Sequence, residues 1–93
     1  MNIEISFEAE GLDKDIEVLQ EKTEVEVNYD SEANLDGALI CTVVGTAVNV
    51  GMFLMQAYSL WGEKRVKVVT PNMIVEDMPM KKVIEYLNSQ NKE

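Results

Sequence analysis

Ile3, Ile5 and Phe7 alternate with Glu4, Ser6 and Glu8, the period-two pattern of a strand with one wet face. Gly11 interrupts it. Leu12, Ile16 and Leu19 then recur at i, i+4, i+7, which predicts a short helix capped by Asp13 and ending near Lys22. Val25, Val27 and Tyr29 alternate with Glu24, Glu26 and Asn28 and predict a second strand. Asp30 to Asn34 is a polar loop. Later in the chain, Val66 and Val68 alternate with Arg65 and Lys67, and Thr70-Pro71-Asn72 reads as a turn before a short return strand over 73–76. Pro79 suits the first turn of a last helix, in which Met80, Val83, Ile84 and Leu87 repeat at i, i+3, i+4, i+7.

The middle of the chain departs from these patterns. Ala38 to Trp61 contains no charged residue. Read as one element, it predicts a long apolar helix over about 36–61, capped by Asp36 and stopped by Gly62. The order is then strand, helix, strand, long helix, hairpin, helix. Because each strand alternates cleanly, the sheet has one apolar face, and the helices must share it. The expectation is a single α+β domain over 1–93, two-layered, with about four strands and three helices on one face.

A helix of about twenty-five residues reaches nearly 40 Å, while strands of five or six residues reach roughly 17–20 Å. On this reading the sheet cannot cover the helix, and something else must. A membrane is one candidate: Tyr58 and Trp61 sit at one end, with Lys64, Arg65 and Lys67 just beyond. Asn49 and Gln56 oppose it, since both are costly in hydrocarbon. Spanning would also split the strands into groups too small for a core. The favoured cover is protein, either a second copy in a homo-oligomer or an effector subunit, with the membrane as the lesser alternative. The interface residues expected on that helix are Val44, Val48, Gly51, Phe53, Met55 and Gln56.

Charge adds a second theme. Seventeen acidic and eight basic residues give −9. Residues 1–37 hold twelve of the acids against Lys14 and Lys22, so that segment carries −10 and the remainder +1. No basic footprint for direct nucleic-acid binding exists. Glu4, Glu8, Glu24 and Glu26 are expected to form an acidic sheet face near Arg65 and Lys67. Such a face either keeps the protein soluble or mimics a phosphate backbone toward a basic partner.

Candidate chemistry is sparse. The chain has no histidine and one cysteine, Cys41, inside the apolar run. It therefore lacks the commonest general base and cannot form an intrachain disulfide. Together with an acidic, alternating start unlike a signal peptide, this predicts a cytoplasmic protein. Asp13, Asp15, Glu17 and Glu24 fall at calcium-loop positions, but Val18 replaces the required glycine. No catalytic residue, cofactor or metal site is expected, and the chain reads as non-enzymatic.

The second half resembles a known family. A long uncharged helix ending YSLWGEKR, the hairpin RVKVVTPNMIVEDM and the helix PMKKVIEYLNSQ are similar in order to the effector-associated constant component family of bacterial conflict systems. The likeness covers about residues 35–90 and is one of pattern. It implies a non-enzymatic adaptor accompanying proteases or nucleotide-dependent switch proteins, and assigns no functional residue.

Overall fold

The computed structural model describes residues 2–9, 11–30 and 39–90. The elements run β1 (Asn2–Glu8), α1 (Asp13–Thr23), β2 (Glu26–Asp30), β3 (Ile40–Thr46), α2 (Ala47–Trp61), β4 (Arg65–Thr70), β5 (Met73–Pro79) and α3 (Met80–Gln90). The five strands form one antiparallel sheet in the order β2-β3-β1-β4-β5. From β1 to β4 this is the split βαβ arrangement of ferredoxin-like topology. A fifth strand and a third helix are added at one edge. The α+β class with three helices on one sheet face agrees with the sequence reading.

The chief correction concerns the apolar run. Residues 40–46 are a strand, and the helix occupies only Ala47–Trp61. The expected helix over 36–61 therefore does not form as one element, and its proposed cap Asp36 lies outside the described residues. The cause is local. Ile40, Thr42, Val43, Val44 and Thr46 make the segment dense in β-branched side chains, which favour the extended backbone. Thr46 then ends the strand and caps the helix, its hydroxyl accepting from the Asn49 amide at 3.2 Å. β3 pairs with β1 on one side and β2 on the other. A central strand buried on its inner face and half-covered on its outer one reads as continuous apolar sequence rather than as alternation.

Other boundaries shift less. α1 starts at Asp13 itself, so the cap position falls to Leu12, which makes no side-chain cap bond. Its far end closes at Glu24, in the left-handed conformation (φ 57°) with its amide donating to the Gln20 carbonyl. Glu24 thus belongs to the helix cap and not to a strand. β5 extends past Glu76 to Pro79, where an edge position makes the missing N–H harmless. α3 consequently begins one residue later. Its start is satisfied by the Lys64 carbonyl, which accepts from the Met80 amide at 2.8 Å. The Glu63 carboxylate accepts from the Lys81 amide at 3.1 Å.

The inner sheet face contributes Ile3, Ile5, Phe7, Val43, Val66 and Val68 to a core completed by all three helices. α1 supplies Ile16 and Leu19, α2 supplies Val50, Phe53, Leu54 and Ala57, and α3 supplies Met80, Val83 and Leu87. Burying a side chain of that size stabilises by about 1.5–3 kcal/mol each. α2 is the middle helix of its layer, packing on β3 and β1 with α1 on one flank and α3 on the other.

Candidate functional site

The structure resolves what surrounds α2. One side is fixed by the sheet: Val50, Phe53, Leu54 and Ala57 are fully buried. At its end Trp61 packs edge-on to Phe53, with ring centroids 6.5 Å apart, and tilts against Phe7 at 5.7 Å. The indole N–H donates to the Asp15 carboxylate at 3.0 Å, tying the end of α2 to the start of α1. Gly51 faces α3, where an added Cβ would lie 3.8 Å from that of Leu87.

The opposite side of α2 faces outward, and it remains apolar. Val48 is 52% exposed, Met52 42%, Met55 53% and Leu60 58%, with Ser59 exposed among them. No charged residue occurs anywhere in the helix. Isolated exposed hydrophobics are ordinary, but Val48, Met52 and Met55 share one outward arc and form a ridge, with Leu60 roughly 100° further round beside α1. About half of each side chain is already covered. Covering the rest would then contribute on the order of 1 kcal/mol per residue. Beside the ridge, between α1 and α2, lies a groove of about 310 Å³ lined by Asp15, Val18, Lys22, Gln56, Ser59 and Leu60 among others.

The expected interface residues therefore separate into groups. Val48 and Met55 stand on the ridge, and Gln56 is half-buried at the groove beside it. Phe53 and Gly51 are buried within the protomer and offer no surface to a partner. Val44 is not on α2 at all: it lies on β3, on the outer face of the sheet, between Glu4 and Glu26. Met52, Ser59 and Leu60 were missed, because a helix taken to begin near residue 36 gives no reason to choose its outward arc. The recurrence of Val48, Met52, Met55 and Ser59 at intervals of four, three and four residues was legible in the chain.

The outer sheet face carries three of the expected acidic residues. Glu26, Val44, Glu4, Val69 and Ile74 lie in one row across the five strands. Glu8 is further along β1, and Glu24 sits off the sheet at the end of α1. Valine and isoleucine interrupt the row, so the carboxylates are dispersed. The basic residues also find partners other than those expected. Arg65 pairs with Asp77, and Lys67 lies 3.9 Å from Glu76, both partners being on β5 rather than β1.

A wider groove of about 570 Å³ on this face is lined by Ser6, Glu8, Glu63, Lys64, Arg65 and Lys67 among others. The Ser6 hydroxyl shares a 3.1 Å hydrogen bond with the Thr42 hydroxyl, and neither group can serve the other as a base. Among the described residues no cluster of His, Cys, Asp or Glu is arranged to hold a metal ion. No buried side-chain nitrogen or oxygen among them lacks a hydrogen-bond partner. No helix among them is long and apolar enough to cross a membrane. α2, at fifteen residues, spans about 22 Å against the roughly 30 Å of a bilayer core.

Comparison with protein-family models, with curated proteins and with solved structures finds no match to this chain.

Proposed function

We propose that this protein is a non-enzymatic association module, docking through the outward ridge of α2 to a protein partner. The supporting observation is the ridge itself: the middle helix of the layer presents Val48, Met52 and Met55 to solvent along one arc, with Leu60 at the groove beside it and no charge among them. Surface helices of monomers usually carry Lys and Glu on that arc. A partner laid along it would cover apolar area without desolvating any charge, the combination that makes interface cores stable. The acidic residues of the outer sheet face would stay wet. The proposed compartment is the cytoplasm, where a single buried thiol such as Cys41 stays reduced. The pattern resemblance of residues 35–90 would make an effector subunit of a bacterial conflict system one candidate partner.

Site-specific photo-crosslinking tests this reading. A photoreactive residue at Met55 should give a discrete protein adduct in cells making the protein, and the same residue at Glu76 on the sheet edge should not. No adduct at Met55, Met52 or Leu60 would sink the proposal.

A further inference from the structure

Resting on that docking surface, the geometry points to its occupant: a second copy of this chain, with the two α2 helices side by side and parallel about a twofold axis along the ridge. Three features carry this. The first is the spacing. Val48, Met52, Met55 and Ser59 recur at four, three and four residues, the a/d repeat by which one helix seats against another of the same kind. The residues buried on the sheet, Val50, Phe53, Leu54 and Ala57, fall at the remaining positions of that repeat. The seam therefore points away from the core.

The second feature is the charge on either flank. α1 and α3 both run opposite to α2. Asp15 meets Trp61 near the start of α1, and the Lys81 amide meets Glu63 at the start of α3, so both helices begin at the same end of the layer. α1 exposes Asp15, Glu17 and Glu21 against Lys14 and Lys22, whereas the first turn of α3 exposes Lys81 and Lys82. A twofold axis along α2 exchanges the two flanks. It lays Lys81 and Lys82 of the partner subunit level with Asp15 and Glu17. The antiparallel alternative would place α1 over α1 and acid over acid. The parallel arrangement is thus the one that charge favours.

The third feature is size. α2 is about 22 Å long and its flanking helices about 16 Å, so at about 10 Å apart the layer offers a footprint of roughly 550 Å² per partner. That is smaller than the roughly 800 Å² per side of a standard interface, yet the two sides together clear the roughly 1,000 Å² expected of a specific contact. The predicted dimer is specific but of moderate affinity.

Sedimentation equilibrium of the whole chain at high micromolar concentration should give twice the 10.5 kDa protomer mass. Met55→Lys should return it to one protomer mass and weaken association at least about a hundredfold, as expected for a lysine buried on each side of the seam. Unchanged far-ultraviolet circular dichroism and Trp61 emission would show that the variant is folded. Orientation is read separately. Ser59→Cys should form a disulfide-linked dimer under mild oxidation, as should Val48→Cys, because a parallel seam sets each position beside itself. Cys41 is fully buried and does not compete. A strict monomer, a dimer indifferent to Met55→Lys, or crosslinking only in a mixture of the two cysteine variants would overturn the inference. A monomer that still gives a Met55 photo-adduct with another protein removes the self-pairing alone and leaves the docking surface standing.

Discussion

Gly51→Ala tests the assignment of α2 to its neighbours. Read from the chain alone, a glycine in the middle of an apolar helix invites a close-packed partner. In the structure Gly51 is buried within the protomer instead, and the nearest atom to an alanine methyl at this position would be the Leu87 Cβ at 3.8 Å. That is ordinary van der Waals separation, so alanine fits without moving α3. In a helix interior alanine is favoured over glycine by about 1 kcal/mol. Much of that gain reflects the smaller conformational freedom of the unfolded chain. The variant should therefore be more stable by about 1 kcal/mol, which in a domain of this size raises Tm by roughly 4–8 °C. Urea and thermal unfolding, followed by circular dichroism and by the chain's single tryptophan, measure it directly. Self-association should be unaffected, since the methyl points at α3 and not at the ridge. A loss of stability of about 1 kcal/mol or more would mean that α3 sits closer to α2 than 3.8 Å allows. Gly45→Ala is the internal control. There the methyl would meet Val25 Cγ1 and Val50 Cγ2 together at 3.4 Å, so it should gain less than Gly51→Ala.

Thr46→Ala removes the hydroxyl that caps α2 and should cost about 1 kcal/mol in urea unfolding, with Thr46→Ser recovering most of it. Phe53→Ala empties a fully buried site between Phe7 and Trp61 and should cost about 3–5 kcal/mol, enough to leave much of the protein unfolded at 37 °C if stability is ordinary. A Phe53→Ala protein as stable as the parent would contradict this core. Asp15→Ala breaks the indole hydrogen bond at an exposed position, so it should cost about 1 kcal/mol or less while altering Trp61 emission. The exposed Arg65–Asp77 pair should show a coupling of under about 1 kcal/mol in a double-mutant cycle, shrinking further in high salt.

Where polar and apolar residues alternate, the chain states its own fold. β1 repeats Glu4, Ser6 and Glu8 outward against Ile3, Ile5 and Phe7 inward, because one face is wet and the other is core. α3 does the same at helical period through Met80, Val83 and Leu87. The signal fails at β3, which lies between two strands and keeps Thr42 and Val44 half-covered on its outer face. No charge marks that face, so strand and helix merge into one apolar run. What distinguishes them is stereochemistry: β-branched residues crowd 40–46, while Met52, Leu54, Met55 and Leu60 are unbranched at Cβ and suit a helix. Thr46 marks the junction, and it is the one residue in the run that can cap a helix at that point. The misplaced helix start also displaced the site. With a helix from 36, Val44 and Phe53 both belong to a helix that the sheet cannot cover all round, but with a helix from 47 one is on the sheet and the other in the core.

Shortening the helix changes the physical case for association without removing it. On the sequence alone that case is overhang: a helix too long for its sheet must be covered at its ends. In the structure α2 matches the sheet, and its inner face is fully used by Val50, Phe53, Leu54 and Ala57. What remains is an asymmetry of composition. The chain carries −9, and α1 exposes charges at nearly every outward position, yet α2, more central in the same layer, exposes Val48, Met52, Met55 and Leu60. Solubility alone would be served by a single lysine or glutamate at any of these positions, at almost no cost to folding. Intramolecular packing does not require them either, since each is about half exposed. The proposed contact outside the protomer would use the ridge as it stands, and a lysine at Met55 is the smallest change that separates the requirements of folding from those of association.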